Sequence, residues 1–193
     1  MYGKFYKRVI DVLAAAVLLV VSSPLFILVI VLVKLSSSGP VFFTQDRVGI
    51  NKTSFIAYKF RTMYNRQREV NREIFKDDVE VTKVGKYLRR YKIDELPQLI
   101  NVLIGDMSLV GPRPSINSLV EKFNEDGEYR IKVKPGLTGL AQINGNIHLS
   151  WPERWKYDRY YVENISFLLD LKILFKTFSI VLFGEDKFIK KIS

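Results

Sequence analysis

The stretch VLAAAVLLVVSSPLFILVIVLV, from Val12 to Val33, contains no charged residue and decides how the rest of the chain can fold. Its residues that are not apolar, Ser22, Ser23 and Pro24, lie together near its middle. An apolar helix of about 20 residues can cross the hydrocarbon core of a bilayer. Proline removes a helical hydrogen bond and disfavours the helical conformation of the residue before it. The stretch therefore predicts either one membrane span or two short helices separated by a break at Ser23–Pro24. A cleaved signal peptide is the weakest interpretation, because the apolar region is too long and no A-x-A site follows it.

The lengths of the two halves favour the break. The half from Val9 to Ser22 would be a helix of about 21 Å, and the half from Pro24 to Leu35 a helix of about 18 Å. Neither reaches across about 30 Å of hydrocarbon. We therefore predict a re-entrant hairpin over residues 1–35, which enters and leaves the membrane by the same face, and a cytosolic catalytic domain over residues 36–193.

The charged residues that flank the stretch agree with two cytoplasmic ends. Lys7 and Arg8 precede it and Lys34 follows it, and positive charges are typical of the cytoplasmic side. Asp11, near the start of the stretch, is expected to pair with Lys7 or Arg8. This pattern predicts a monotopic protein on the cytoplasmic face of the membrane.

The composition limits the chemistry that the domain can perform. The chain has 193 residues, of which 48% are hydrophobic, and it has no cysteine and a single histidine, His148. These counts exclude disulfides, thiolate zinc sites, cysteine nucleophiles and multi-histidine metal sites. A bound metal is therefore expected to be a hard ion such as Mg²⁺. The net charge of +10 predicts anionic partners such as phosphorylated substrates and inner-leaflet phospholipids. No nucleic-acid-binding motif occurs, so we do not expect a nucleic acid partner.

The pattern of the remaining residues predicts a mostly helical α+β fold. Val41 to Thr44 and Ser54 to Phe60 are rich in β-branched and aromatic residues, as strands are. Thr82 is a candidate N-cap for a helix, and Leu96 to Ile104 is predicted to be a helix with Pro97 in its first turn. The apolar stretch from Phe167 to Phe183 is interrupted by Asp170, Lys172 and Lys176, which argues against a membrane span. An amphipathic helix at the membrane interface and an ordinary core helix are equally compatible with it.

Asp94 and Glu95 are the first candidates for catalysis. Pro97 is tolerated only in the first turn of the helix that follows, so both carboxylates are expected at or beside the N-terminus of that helix. This end of a helix attracts phosphate, and two adjacent carboxylates can hold Mg²⁺. The simpler alternative is that Asp94 only caps the helix and Glu95 only complements its dipole.

Three cations are the candidates for binding a phosphorylated substrate. Lys59 and Arg61 are predicted to share one face of a strand, which suits a diphosphate but also suits a solvent-exposed edge. Arg113 lies between two prolines, so the backbone around its guanidinium is stiff. A surface turn that happens to carry an arginine is the alternative for Arg113.

Several runs of this sequence are similar to those of one known family, the bacterial sugar transferases or monotopic phosphoglycosyl transferases. The similarity covers nearly the whole chain, and its most specific part lies between residues 93 and 114. The runs that carry it are Lys7-Arg8 with Asp11, Ser23-Pro24, Phe43 with Gln45, Arg47 and Gly49, Lys59 to Met63, Ile93 to Leu99, Asn101 to Leu103, Gly105 to Pro114, Pro135 to Gln142, and Asn144-Gly145.

The resemblance implies a specific reaction. Members of this family transfer a sugar 1-phosphate from a UDP-sugar to a polyprenol phosphate, usually undecaprenyl phosphate, and release UMP in the first membrane step of glycoconjugate assembly. It implies that Asp94 is the nucleophile, which forms an aspartyl-phosphosugar intermediate, and that Glu95 helps to hold Mg²⁺. It also implies a bacterial inner-membrane location, and a homodimer is the oligomer that we expect. A substrate or nucleotide loop is expected to contain Pro135, Gly136, Thr138, Gln142 and Asn146.

The chain departs from the family pattern at Asn146, where the family usually has arginine. This departure puts the affinity for the nucleotide, or the choice of sugar, in doubt. Two other functions stay open on the sequence alone. One is a membrane-associated glycosyltransferase that releases UDP, and the other is a basic membrane scaffold without catalytic activity.

Overall fold

The structure is a computed structural model that describes residue 2, residues 4–66 and residues 78–184. The described part is mostly helical with two small sheets, which confirms the α+β class. Its helices are α1 (Lys4–Ser36), α2 (Lys83–Arg90), α3 (Gln98–Ile104), α4 (Asn117–Val120), α5 (Glu125–Tyr129), α6 (Leu140–Ile143), α7 (Trp151–Glu163) and α8 (Phe167–Phe183). Its strands are β1 (Phe42–Val48), β2 (Ser54–Phe60), β3 (Ser108–Val110) and β4 (Gly136–Thr138).

Helix α1 continues through the position where the sequence predicted a break. Pro24 lies inside this helix. The helix has 33 residues, which correspond to about 50 Å of helical rise. Pro24 has no N–H to donate to the carbonyl of Val20, and the hydroxyl of Ser23 donates to that carbonyl instead at 2.8 Å. The hydroxyl of Ser22 donates to the carbonyl of Leu18 at 2.6 Å. The serines therefore satisfy the backbone around the proline, so it does not end the helix.

Both halves of α1 pack against the same domain. Ala15, in the first half, is buried with Leu99 and other residues of one core cluster. Val29 and Val33, in the second half, are buried with Phe60 and Leu88 in a second cluster. Leu96 packs against both clusters. Most of the side chains between these two contacts are exposed and apolar, and α1 is the one helix of the described residues that is long and apolar enough to cross a membrane.

The N-terminal end of α1 is anchored by buried polar contacts. Asp11 accepts hydrogen bonds from the hydroxyl of Ser108 at 2.7 Å and from the backbone N–H of Leu109 at 3.2 Å. Its expected partner Lys7 is 3.9 Å away and instead bonds Asp170 of α8 at 2.6 Å. The expected pairing of Asp11 with Lys7 is therefore a minor contact, because the peptide and hydroxyl donors of β3 lie closer.

Asp170 joins α1, α7, α8 and the residue Tyr2 around a buried carboxylate. It accepts hydrogen bonds from Tyr2 at 2.8 Å and from Tyr161 of α7 at 2.8 Å, in addition to Lys7. Tyr161 also donates to the carbonyl of Val110, at the end of β3. On the other side of the same region, Arg8 donates to the carbonyls of Val102 and Leu103, near the C-terminal end of α3. The basic residues at the start of α1 therefore bind the domain.

The two sheets are small and place two loops side by side. Strands β1 and β2 form an antiparallel hairpin in which Phe42 pairs with Phe60 and Val48 with Ser54. Strands β3 and β4 are parallel. Gly111, after β3, and Gly136, in β4, approach so closely that a Cβ atom on Gly136 would lie 2.1 Å from the backbone nitrogen of Gly111. These glycines allow the loop after β3 to lie directly against β4.

Helix α8 has the bounds that the sequence predicted and two different faces. Asp170, Ile173 and Ile180 are buried against the domain. Its other face is apolar and exposed, and it carries Phe167, Leu168, Phe175, Phe178, Leu182 and Phe183. An ordinary core helix would expose polar side chains there, so this arrangement favours the amphipathic alternative.

Candidate active site

Asp94 and Glu95 lie in a short 3₁₀ turn, Ile93–Glu95, between α2 and α3. Lys92, just before it, adopts the left-handed conformation with φ of 56°, which reverses the chain after α2. Pro97 occupies the position before the first residue of α3, so this helix begins two residues later than predicted. Both carboxylates are buried, and neither caps α3 with its side chain. The capping alternative for Asp94 was therefore wrong.

Asn101 fixes α3 against the β-hairpin that carries Lys59. Its side-chain oxygen accepts a hydrogen bond from the backbone of Tyr58 at 3.1 Å, and its amide donates to the carbonyl of Ile56 at 2.7 Å. Asn101 is fully buried. This contact sets the distance between the 3₁₀ turn and β2.

Glu95 forms ion pairs with two of the predicted cations. Its Oε1 atom lies 2.7 Å from Nζ of Lys59 and 2.6 Å from Nη2 of Arg113, and its Oε2 atom lies 3.5 Å from Nη1 of Arg113. Burial opposes ionisation of Glu95, but Arg113 and Lys59 outweigh it and hold the pKa of Glu95 well below its usual range. Glu95 is therefore an ionised carboxylate that brings Lys59 and Arg113 together.

Asp94 has a different environment from its neighbour. No side chain or backbone group donates to its carboxylate within the described part of the chain. Burial and the adjacent charge of Glu95 raise the pKa of Asp94 to about 6, although Lys59, Lys92 and Arg89 oppose this effect. The group is still mostly ionised at pH 7. Asp94 is therefore a buried carboxylate whose oxygens are not used by the fold.

The loop that carries Arg113 is held at four consecutive carbonyls. The carbonyl of Pro112 accepts from the backbone of Gly136 at 2.8 Å, and that of Arg113 accepts from Arg130 at 2.6 Å. The carbonyl of Pro114 accepts from Nη1 of Arg47 at 3.1 Å, and that of Ser115 accepts from the backbone of Val48 at 2.9 Å. Arg113 therefore projects from a fixed backbone.

Arg130, which holds this loop, is itself part of a buried ion pair. Its guanidinium lies 3.3 Å from the carboxylate of Asp158 on α7, and both side chains are almost fully buried. Burial raises the pKa of Asp158 to about 6, while Arg130 opposes the shift. The ion pair thus connects α7 to the backbone beside Arg113.

Arg61 does not join the other predicted cations. Strand β2 ends at Phe60, so the alternation that would place Arg61 beside Lys59 stops there. The guanidinium of Arg61 donates to the carbonyls of Ser37 and Ser38 at 2.7 Å each, just after the end of α1. The structure therefore gives Arg61 a role in holding the C-terminal end of α1.

The predicted nucleotide loop lies mostly beneath the Arg113 loop. Pro135, Gly136 and Thr138 are buried, and the hydroxyl of Thr138 is 2.7 Å from that of Thr177 on α8. Gln142 donates to the carbonyl of Leu137. These four residues support the loop by packing and hydrogen bonding.

Asn146 and His148 occupy a separate, more exposed turn. Asn146 has a φ of 45°, a conformation that asparagine adopts more readily than most residues. His148 is exposed. The structure brings neither residue into the pocket around Arg113.

An open pocket of about 210 Å³, including the solvent at its mouth, is lined by Lys59, Arg113, Arg47, Gln98, Ala57 and Pro114. The sequence indicated Arg47 and Asn101 only as members of the runs that resemble the family, and it predicted no role for Arg130. Their sequence signal is weak, because an isolated arginine or asparagine does not show which distant element it will contact.

The described residues contain no group of three or more His, Cys, Asp or Glu side chains that could hold a metal ion. Oxygen ligands for Mg²⁺ are limited here to the two adjacent carboxylates. Mg²⁺ usually binds one or two carboxylates and completes its shell with water and substrate phosphates, so this donor set fits a shared site rather than a protein cage.

Comparison with known proteins gives the family. The family model for bacterial sugar transferases matches residues 2–184. An uncharacterized sugar transferase, EpsL, of Bacillus subtilis is 46% identical over 93% of this chain and 88% of its own length. The exopolysaccharide production protein ExoY of Sinorhizobium fredii is 41% identical over 96% of this chain and 89% of its own length.

A third relative is named for a reaction. The UDP-N-acetylgalactosamine-undecaprenyl-phosphate N-acetylgalactosaminephosphotransferase of Aeromonas hydrophila is 43% identical over 93% of this chain, which spans 44% of that larger protein. The similarity therefore extends over almost the whole described chain and is not limited to one motif. The chain belongs to the bacterial sugar transferase family, and it is an enzyme of the phosphoglycosyl transferase type.

Proposed function

We propose that this protein transfers a sugar 1-phosphate from a UDP-sugar to undecaprenyl phosphate and releases UMP, with Asp94 as a covalent nucleophile. The observation that carries the proposal is the contrast between two adjacent buried carboxylates. The negative charge of Glu95 is paired with Lys59 and Arg113, whereas Asp94 accepts no hydrogen bond among the described residues. The names of the relatives support the acceptor and the type of reaction.

In the first step, a carboxylate oxygen of Asp94 attacks the phosphorus that carries the sugar. A bond forms between this oxygen and the phosphorus, the bond to the bridging oxygen breaks, and UMP leaves with that oxygen. Asp94 needs no general base, because it is mostly ionised at pH 7. Lys59 and Arg113, which contact the adjacent Glu95, would offset the negative charge of the diphosphate, which would otherwise repel the carboxylate of Asp94.

In the second step, an oxygen of the lipid phosphate attacks the same phosphorus and releases the carboxylate of Asp94. The products are a polyprenyl diphosphate sugar and the free enzyme. The acceptor is held in a membrane, so Asp94 must lie near the level of the lipid phosphates. Leu96, two residues from Asp94, packs against the two clusters that contain Ala15 and Val29 of α1, which supports a position of Asp94 near the apolar helix.

Mg²⁺ is the metal that the oxygen donors fit, and when bound it would neutralise charge on the diphosphate. Asp94 offers an unoccupied carboxylate for this. Glu95 could contribute only by sharing or giving up a contact with Lys59 or Arg113. The expected role of Glu95 as a metal ligand therefore competes with its role in holding two cations.

We also propose that α1 bends at Pro24 without ending there, and that it enters and leaves the membrane by the same face. Its two ends contact one domain, through Ala15 on one side and through Val29 and Val33 on the other. Its middle is apolar and exposed. The exposed face of α8 is proposed to lie in the interfacial region of the same leaflet, together with inner-leaflet phospholipids. Both helices would then hold the active site at the cytoplasmic surface.

The test is release of nucleotide by the full chain in nanodiscs with Mg²⁺, undecaprenyl phosphate and a panel of UDP-sugars. We expect UMP, dependent on the lipid for multiple turnovers. Asp94→Asn should abolish turnover, and a phosphosugar adduct on wild-type protein without acceptor should be detectable by intact mass and absent from the variant. Glu163→Gln on α7, an exposed residue that pairs with Arg159 at 2.9 Å, is the matched control and should retain full activity.

The two alternative functions give different results in the same assay. A glycosyltransferase would release UDP in place of UMP. A scaffold without catalytic activity would release neither nucleotide with any donor, and Asp94→Asn would have no effect on its membrane binding. Either result would overturn the proposed reaction.

A further inference from the structure

The pocket beside Glu95 contains a third cation, Arg47. Arg47, on β1, is partly buried and lines this pocket together with Lys59 and Arg113. It forms no ion pair within the residues that the structure describes. Its hydrogen bonds go to two neutral oxygens, the carbonyl of Pro114 at 3.1 Å and the side chain of Gln45 at 2.5 Å.

The carboxylate of Glu95 contacts two of the three cations that line this pocket. It lies 2.7 Å from Lys59 and 2.6 Å from Arg113, and it forms no ion pair with Arg47. Withdrawing a charged group from water without a partner is costly, and folded proteins usually pair such groups. A guanidinium has five N–H donors, and Arg47 uses two of them on the hairpin and the Pro114 carbonyl. Donors therefore remain for an anion in the pocket.

The contacts give an order to the three cations. Lys59 and Arg113 contact Glu95, the neighbour of Asp94, whereas Arg47 reaches the carbonyl of Pro114, next to Arg113. Arg47 therefore lies one contact further from the Asp94–Glu95 turn than the other two cations. A diphosphate with one phosphorus at Asp94 would extend its second phosphate in this direction.

We propose that Arg47 binds the nucleotide-side phosphate of the UDP-sugar, and the same phosphate of UMP as it leaves. This inference rests on the proposed function, and it adds a substrate-binding residue to it. When the bond between the attacked phosphorus and the bridging oxygen breaks, negative charge grows on the nucleotide phosphate. Arg47 and Arg113 lie where they can stabilise that charge, and no proton is required.

The test is direct binding of UMP to the full chain by calorimetry, because binding requires no turnover. Arg47→Gln should weaken UMP binding at least tenfold, and Arg47→Lys, which keeps a positive charge, should have an intermediate effect. Lys52→Gln is the matched control, because Lys52 is a cation in the same hairpin that pairs with Glu128 at 3.0 Å and does not line the pocket. Its affinity for UMP should be unchanged.

Kinetics separate binding of phosphate from support of the Pro114 loop. We expect Arg47→Gln to raise KM for the UDP-sugar and to leave KM for undecaprenyl phosphate unchanged. An Arg47→Gln protein that melts like wild type and binds UMP within threefold of wild type would overturn the inference, whether or not kcat falls. If wild-type protein releases UDP instead of UMP but Arg47→Gln still loses UMP affinity, the proposed reaction fails and the phosphate site stands.

Discussion

Removing the charge of Asp170 should destabilise the contact between the membrane helix and the catalytic domain. Asp170→Asn keeps the shape of the side chain but leaves Lys7 without its partner at 2.6 Å. Removing one member of a buried ion pair costs about 3–5 kcal/mol. Lys7 retains some access to water, with 15% of its side chain exposed, and it retains Asp11 at 3.9 Å. We therefore take the lower end of the range, about 3 kcal/mol.

For a chain of this size, about 3 kcal/mol corresponds to a fall in Tm of about 6–12 °C. The measurement is thermal unfolding in nanodiscs, followed by intrinsic fluorescence. Asp126→Asn is the control, because Asp126 also pairs with a cation, Arg159 at 2.9 Å, but at a more exposed site. It should cost less than about 1 kcal/mol.

A second substitution tests the cause of the destabilisation. Lys7→Met combined with Asp170→Asn removes the unpaired ammonium and should recover part of the lost Tm. If Asp170→Asn melts within 1 °C of the Asp126→Asn control, the contact at Asp170 does not stabilise the docking of α1.

Two further predictions concern the ends of α1. Arg61→Gln should lower Tm, because the carbonyls of Ser37 and Ser38 lose a charged donor, but it should leave KM for the UDP-sugar unchanged; a raised KM would restore Arg61 as a phosphate ligand. The chain has no cysteine, so Tyr6→Cys and Leu35→Cys each introduce a unique thiol near one end of the helix. A membrane-impermeant maleimide should label both in inverted vesicles and neither in intact spheroplasts, whereas labelling of one end from each side would show a membrane span.

The sequence predicted elements best where a local signal fixes them. Ser54 to Phe60 and Phe167 to Phe183 have the predicted bounds, and Thr82 caps α2 by accepting from Gly85 at 2.9 Å. Strand β1 extends beyond Thr44, as far as Val48. Its polar second half has low strand propensity, and pairing with β2 stabilises it, which no local pattern shows.

The candidate site was predictable in its residues but less so in its contacts. Asp94, Glu95, Lys59 and Arg113 were identified from sequence, and the structure brings the last three into direct contact. Alternation along a strand predicted that Arg61 shares a face with Lys59. Strand β2 ends at Phe60, so this alternation does not extend to Arg61, whose guanidinium instead contacts the carbonyl of Ser37 just after α1. Spacing likewise cannot show that Arg47 and Arg130 hold consecutive carbonyls of one loop, because these contacts join distant parts of the chain.

The assignment of the nucleophile depends on which carboxylate the fold leaves available. For Glu95 to attack a phosphorus, it would have to release two contacts of 2.7 and 2.6 Å, and Lys59 and Arg113 would lose the anion that brings them together. Asp94 can attack without breaking any side-chain contact of the described residues. The same attack leaves Glu95 in place to hold the two cations beside the diphosphate. Of the two neighbouring carboxylates, one is fixed by ion pairs and the other is not, and this difference favours the proposal that Asp94 is the nucleophile.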